Sequence, residues 1–174
     1  DNMINLLGNV NEFQFNVLST PGLTNDNHTS QISSIINNTI SRGDSIFVMD
    51  TVDYEGTLTN ALTQAATRNT SYAATYWPWL QVQDPETGKL VFVPASTIIP
   101  GVYAFNDKVA NTWNAPAGIS RGGLSTVLRA KLKLTEANKS SLYDANINPI
   151  ATFPKKGVVV FGQKTLQKAT SALD

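Results

Sequence analysis

The stretch from Tyr76 to Gly118 holds all three tryptophans and five of the eight prolines of this 174-residue chain. It opens Tyr76-Trp77-Pro78-Trp79-Leu80 and passes through Val93-Pro94-Ala95-Ser96 and Gly101-Val102-Tyr103-Ala104. It closes Trp113-Asn114-Ala115-Pro116-Ala117-Gly118. Tryptophan brings the largest apolar surface a side chain offers, and its ring N–H needs a partner when buried. Proline fixes φ and withholds a backbone donor. A segment rich in both is expected to fold back on the core in one shape, with Trp77, Pro78, Trp79, Trp113 and Pro116 as anchors. Trp77 and Trp79 are two apart, so on an extended strand they should share a face, with Pro78 on the other.

The chain before this stretch reads as alternating strands and helices. Residues 2–8 form a short helical end closed by Gly8. Phe13 to Val17 alternates with period 2 and predicts a strand, followed by a turn-rich loop from Ser19 to Asn27. Ile32, Ile35, Ile36 and Ile40 mark one face of a helix ending near Arg42-Gly43. Ser45 to Met49 is an apolar run of the kind covered on both faces. Asp53 is a candidate cap for a helix with the stripe Leu58, Leu62 and Ala65, and Ser71 to Trp79 predicts a third strand. Such an order favours a parallel sheet with right-handed crossovers.

Asp84-Pro85-Glu86-Thr87-Gly88-Lys89 then predicts a hairpin turn between 80–82 and 90–93. A helix is expected from about Pro100, with Val102, Phe105 and Val109 on its inner face. Leu128, Ala130, Leu132 and Leu134 alternate with Arg129, Lys131 and Lys133, which predicts an amphipathic strand with a basic stripe. Thr135 is a candidate cap for a helix to about Asp144. Val158 to Phe161 predicts a strand, and Thr165 to Leu173 a last helix. The expected fold is α/β, with a mixed, largely parallel central sheet and helices on both faces. Residues 1–118 form its core domain, and 119–174 begin a second segment packed with it as one unit.

Thirteen basic and thirteen acidic residues leave a formal charge of zero, which argues against nucleic acid or an anionic membrane as partner. The absence of cysteine excludes disulfides, a thiolate nucleophile and Cys-based metal sites. No apolar run reaches the roughly 18 residues of a membrane span. Sequons at Asn27, Asn37, Asn69 and Asn138 are read as accidental in a chain this rich in Asn and Thr.

In their order, Tyr72 to Leu80, Val93 to Ser96, Gly101 to Ala104, Asp107 and Trp113 to Gly118 resemble the contractile-tail sheath proteins of tailed bacteriophages. Ile147-Asn148-Pro149-Ile150, Phe153-Pro154 and Gly157 to Leu166 resemble the C-terminal portion of the same family. The likeness spans roughly residues 13 to 174. Pro100, and Asn111-Thr112 before Trp113, depart from the family pattern. The resemblance implies a structural subunit with no enzymatic activity and no cofactor. It would polymerise around a tail tube and contract by rigid-body rearrangement to drive the tube into the host envelope. Its implied partners are further copies, the tail tube and the baseplate, with no nucleic acid and no membrane span. Its implied place is the virion tail, after assembly in the host cytoplasm. The family also implies extended terminal arms that join subunits, so 1–174 reads as a truncated fragment, monomeric by itself. Two other readings remain open: a doubly wound enzyme or nucleotide- or flavin-binding module, and the sheath of a related secretion or bacteriocin-like injection machine.

Because the family fold is described as subtilisin-like, a serine-hydrolase triad needs testing. The only histidine is His28, expected to be exposed at a helix start beside Asp26. Only Asp1, Glu12 and Asp26 precede it, Asp50 and Asp53 follow, and no Gly-x-Ser-x-Gly elbow exists. Asp50, Asp53 and Glu55 follow a strand and are within range of a metal site, although capping explains them more simply. Ser19 to Thr24 sits where a phosphate loop would, but Pro21 removes a needed donor. Gly157 and Gly162 have P-loop spacing, with Gln163 where lysine is required. No catalytic, cofactor or metal residues are therefore assigned. The stripe Arg129, Lys131 and Lys133 is the candidate contact to an acidic patch on a neighbouring copy.

Overall fold

The computed structural model describes residues 2–169. A five-stranded sheet lies at its centre, in the order β1-β2-β3-β7-β8. Strands β1 (Val17–Thr24), β2 (Ile46–Asp50) and β3 (Ala73–Trp77) are parallel, and β7 (Asn148–Phe153) continues parallel beside β3. Strand β8 (Gly157–Val160) returns antiparallel to β7. Residues before and after 118 thus share one sheet. A smaller antiparallel sheet, β5-β4-β6, is built from β4 (Leu80–Gln83), β5 (Leu90–Val93) and β6 (Val127–Ala130).

Side chains alternate along the central strands, and each face of the main sheet has its own core. Phe47, Met49, Ala73 and Trp77 point into one cluster, with Ile32, Ile35 and Ile36 of α2 (Thr29–Arg42), Ala61 and Ala65 of α3 (Leu58–Ala66) and Leu142 of α5 (Glu136–Asp144). Val48, Ala74 and Tyr76 point into the other, with Ile99 and Val102 of α4 (Ile99–Val109), Leu80, Val127, Ile150 and Val158. The fold is therefore mixed α/β with a mostly parallel sheet and helices on both faces, as expected.

Local chemistry sets the helix ends. Gly43 closes α2 in the left-handed region at φ 71°, where its N–H reaches the Thr39 carbonyl. The hydroxyls of Thr57 and Thr135 accept from the N–H groups of Asn60 and Asn138 and cap α3 and α5. Thr57, not Asp53, is the cap of α3.

Several local expectations are corrected. Phe13 to Asn16 is not a strand; Arg42 holds it through the Phe13 carbonyl (2.8 Å), with its guanidinium over the Phe15 ring. The strand begins at Val17 and runs through Ser19 to Thr24, where a loop is predicted. Pro21 and Gly22 fit because β1 is an edge strand whose register with β2 shifts between Ser19 and Thr24. Strand β3 stops at Trp77, the Trp77–Pro78 peptide is cis, and Leu80 starts the second sheet, so one alternation does not run through Trp79. Helix α4 buries Ile99, Val102 and Asn106, leaving Phe105 and Val109 in solvent. No helix forms from Thr165 to Ala169, and the rest of that predicted helix lies outside the described residues.

The outer edge of β8 is closed by a strap over residues 118–124. Gly118 N–H donates to the Val160 carbonyl (2.8 Å), Val160 N–H to Gly122 (2.8 Å) and Leu124 N–H to Val158 (2.9 Å). A Cβ on Gly122 would sit 2.7 Å from the Val160 carbonyl oxygen, so only glycine permits this approach.

Candidate assembly surface

The residues singled out in the sequence do not converge on a catalytic centre. His28 stands at the N-terminus of α2, half-buried and not exposed as expected, with its Nδ1 shielded and without a partner. Asp50 at the end of β2 is buried and turned to the segment before α4. Its carboxylate accepts the Ser96 hydroxyl at 2.5 Å and the Ser96 N–H at 3.2 Å. The serine hydroxyl is thus spent on an aspartate, with no histidine between them. The Asp53 carboxylate accepts from the Asn27 side chain at 3.4 Å, and Glu55 is exposed. Among the described residues no three His, Cys, Asp or Glu side chains gather as a metal site. The segment 19–24 is strand β1, and 157–160 is strand β8, so neither forms a phosphate-binding loop.

The Asp50–Ser96 pair escaped sequence reading because its members lie 46 residues apart. Burial pushes the Asp50 carboxyl up from 3.8 to about 6, against the opposing pull of the two Ser96 hydrogen bonds. Between about pH 4 and pH 6 the folded state therefore holds more protons than the unfolded state. The contribution of Asp50 to stability therefore falls as pH rises through that window, by an amount on the order of 3 kcal/mol. Asp50→Asn removes this titration. Denaturant unfolding at pH 4.5 and 7.5 is expected to show the variant gaining on the parent at the higher pH. An equal difference at both values would refute the account. Ser96→Ala, by contrast, should cost about 2 kcal/mol at pH 7.5 and less at pH 4.5.

The tryptophans divide sharply. Trp77 is buried in the first core, and Trp79 is half-buried with its ring N–H donating to the Val52 carbonyl at 3.1 Å. Pro78 is buried and Pro116 half-buried. Trp113 is 81% exposed and anchors no core.

The basic stripe is also broken up. Strand β6 ends at Ala130, and Leu128 and Leu132 are exposed. Arg129 donates to the Gln81 side chain (2.7 Å) and lies over Phe92. Lys131 bonds the Tyr54 carbonyl and sits 3.9 Å over the Tyr54 ring. Lys133 alone stays exposed without a partner among the described residues. Arg129 thus ties strands within the small sheet, and Lys131 braces that sheet against the Tyr54 loop.

Similarity to known proteins places the chain in a family. Residues 1–166 match the family model described as the phage tail sheath protein central domain. The chain belongs to the phage tail sheath family. Its sheath relatives include the tail sheath protein of Vibrio phage KVP40, 33% identical over 106 residues, which cover 61% of this chain and 16% of that protein. The tail sheath protein of Enterobacteria phage T4 is 34% identical over 83 residues, 48% of this chain and 13% of that one. The fold matches a chain of the anti-feeding prophage baseplate with a TM-score of 0.75 at 21% identity, covering 96% of this chain and 42% of that one. It also matches the sheath complex of an extracellular contractile injection system in its contracted state, with a TM-score of 0.69 at 20% identity. That match covers 96% of this chain and 45% of that one. The chain therefore spans a minor part of each relative's length.

Within this sheath fold one further residue matters that sequence reading did not assign. Asn148, fully buried at the start of β7, donates to the carbonyls of Thr75 (3.1 Å) and Lys164 (2.7 Å). Its Oδ1 accepts the Lys164 N–H at 2.6 Å. A Cβ on Gly162 would lie 2.8 Å from that Oδ1, so the glycine makes room for the knot. One side chain ties the segment after β8 to the β3–β7 seam.

Proposed function

We propose that the chain is the central part of a contractile tail sheath subunit, which polymerises around the tail tube and works without catalysis. The observation that carries this reading is the family-model match over nearly the whole chain. Sequence relatives above 30% identity are phage tail sheath proteins, which favours a phage tail over a related injection machine. In this reading the partners are further copies, the tube and the baseplate, and the place of action is the virion, after assembly in the host cytoplasm. Contraction is a rigid-body reorientation, and residues 1–118 and 119–174 move together because β3 and β7 are bonded neighbours in one sheet. Lys133, and through their exposed flanks Arg129 and Lys131, contribute charge to a neighbour's acidic surface.

The test is electron microscopy of the full-length protein, which is expected to form tubular polymers. Residues 1–174 alone are expected to sediment as a monomer at tens of micromolar, since single contacts of one domain resemble transient interfaces. A full-length protein that stays monomeric while hydrolysing a substrate or binding flavin would overturn the reading.

A further inference from the structure

The two ends of the main sheet carry unlike surfaces. Helix α4, strand β6 and the β7–β8 turn enclose an open groove of about 650 Å³ at the end where β7 finishes. Val102, Phe105, Leu124 and Leu128 give it an apolar floor and rim, with Phe105 50% and Leu128 56% exposed. Its charged residues are Arg121 and Lys156, neither of them in a salt bridge among the described residues, and no Asp or Glu lines it. Such a groove fits an apolar segment that brings a carboxylate.

That segment exists at the opposite end of the sheet. Helix α1 (Asn2–Leu7) packs beside the C-terminus of α2, where the Ile4 and Leu7 carbonyls accept from Asn38 and Arg42. Ile4 faces the core, whereas Met3 is 74% and Leu6 57% exposed, and Val10 follows in solvent. Glu12 is exposed, its carboxylate accepting only from the Asn9 side chain (3.1 Å). No lysine or arginine occurs before Arg42. Both ends of the described chain leave at this same end: Leu166 N–H bonds the Ala73 carbonyl where β3 begins.

We propose that α1 and the loop to Glu12 of one copy dock in the α4–β6 groove of the next copy. The contact rests on the sheath reading, because a helical polymer needs unlike, complementary patches on each subunit. Within one chain the two patches face away from each other across the sheet, so they meet only between chains. Glu12 and exposed aliphatics thus stand on one patch, and Arg121, Lys156 and the exposed Phe105 and Leu128 on the other.

The test uses full-length protein carrying one added cysteine, since residues 1–174 have none. Leu6→Cys and Phe105→Cys variants are mixed, assembled and oxidised. The expected result is a disulfide-linked dimer from the mixture and little from either variant alone. Arg121→Glu with Lys156→Glu should lower its yield about tenfold through like-charge repulsion of Glu12. Glu12→Lys on the other copy should restore it. Tubes that form without the mixed dimer overturn this contact and leave the sheath reading intact. A link formed within one chain of the double-cysteine variant also overturns it, by showing that the chain covers its own groove. A mixed dimer in protein that forms no tubes supports the contact while counting against the sheath reading.

Discussion

Truncating Trp77 to alanine is expected to cost about 3–5 kcal/mol, while the same change at Trp113 costs under about 0.5 kcal/mol. Trp77 is 5% exposed and sits among Phe47, Met49, Ala73 and Ile147, against the helices of the first core. Removing its indole leaves a cavity in a layer built from helices α2, α3 and α5 and strands β2 and β3. Such a layer cannot collapse without moving the sheet. Trp113 lies beyond α4 in solvent and fills nothing. Denaturant titration followed by far-ultraviolet circular dichroism measures both variants, because the backbone dominates that signal. Similar losses at the two sites would mean that the exposed ring is packed in solution.

Asn148→Leu is expected to be comparably severe, at about 3 kcal/mol or more, although it adds apolar surface. The substitution strands the carbonyls of Thr75 and Lys164 and the Lys164 N–H, all three previously paired with one amide. An Asn148→Asp variant separates hydrogen bonding from volume. It keeps the acceptor for Lys164 N–H, loses both donors and buries a charge, so it should also unfold early at neutral pH. Protease digestion should then release the segment beyond β8 first. If Asn148→Leu were neutral, the knot would contribute nothing to stability.

The elements that sequence made legible are those with chemistry local to them. Thr135 to Asp144 was readable because the capping hydroxyl lies three residues from the N–H it takes. The β4–β5 hairpin was readable from its turn residues, and the parallel core from apolar runs separated by helical periods. Strand β1 was hidden because Pro21 and Gly22 are tolerated only at an edge, and edge position is a property of the assembled sheet. Strand β7 opens Asn148-Pro149, two residues that seldom begin a buried strand, and its reason is the knot described above. Helix α4 has an apolar period with two possible faces, and the Ile99–Val102 contact with the second core decides between them. The surface was least legible. Arg129 and Lys131 read as solvent-facing cations, yet Gln81 and Tyr54 claim them from 48 and 77 residues away.

The strap that closes β8 bears on which borders of the main sheet another chain could reach. Two bare strands from different molecules pair wherever their backbone groups are open, without regard to register or symmetry. Gly118, Gly122 and Leu124 occupy those groups along β8, so this border of the main sheet cannot recruit stray chains. Pairing through open backbone groups of the main sheet is thereby confined to its other border, β1.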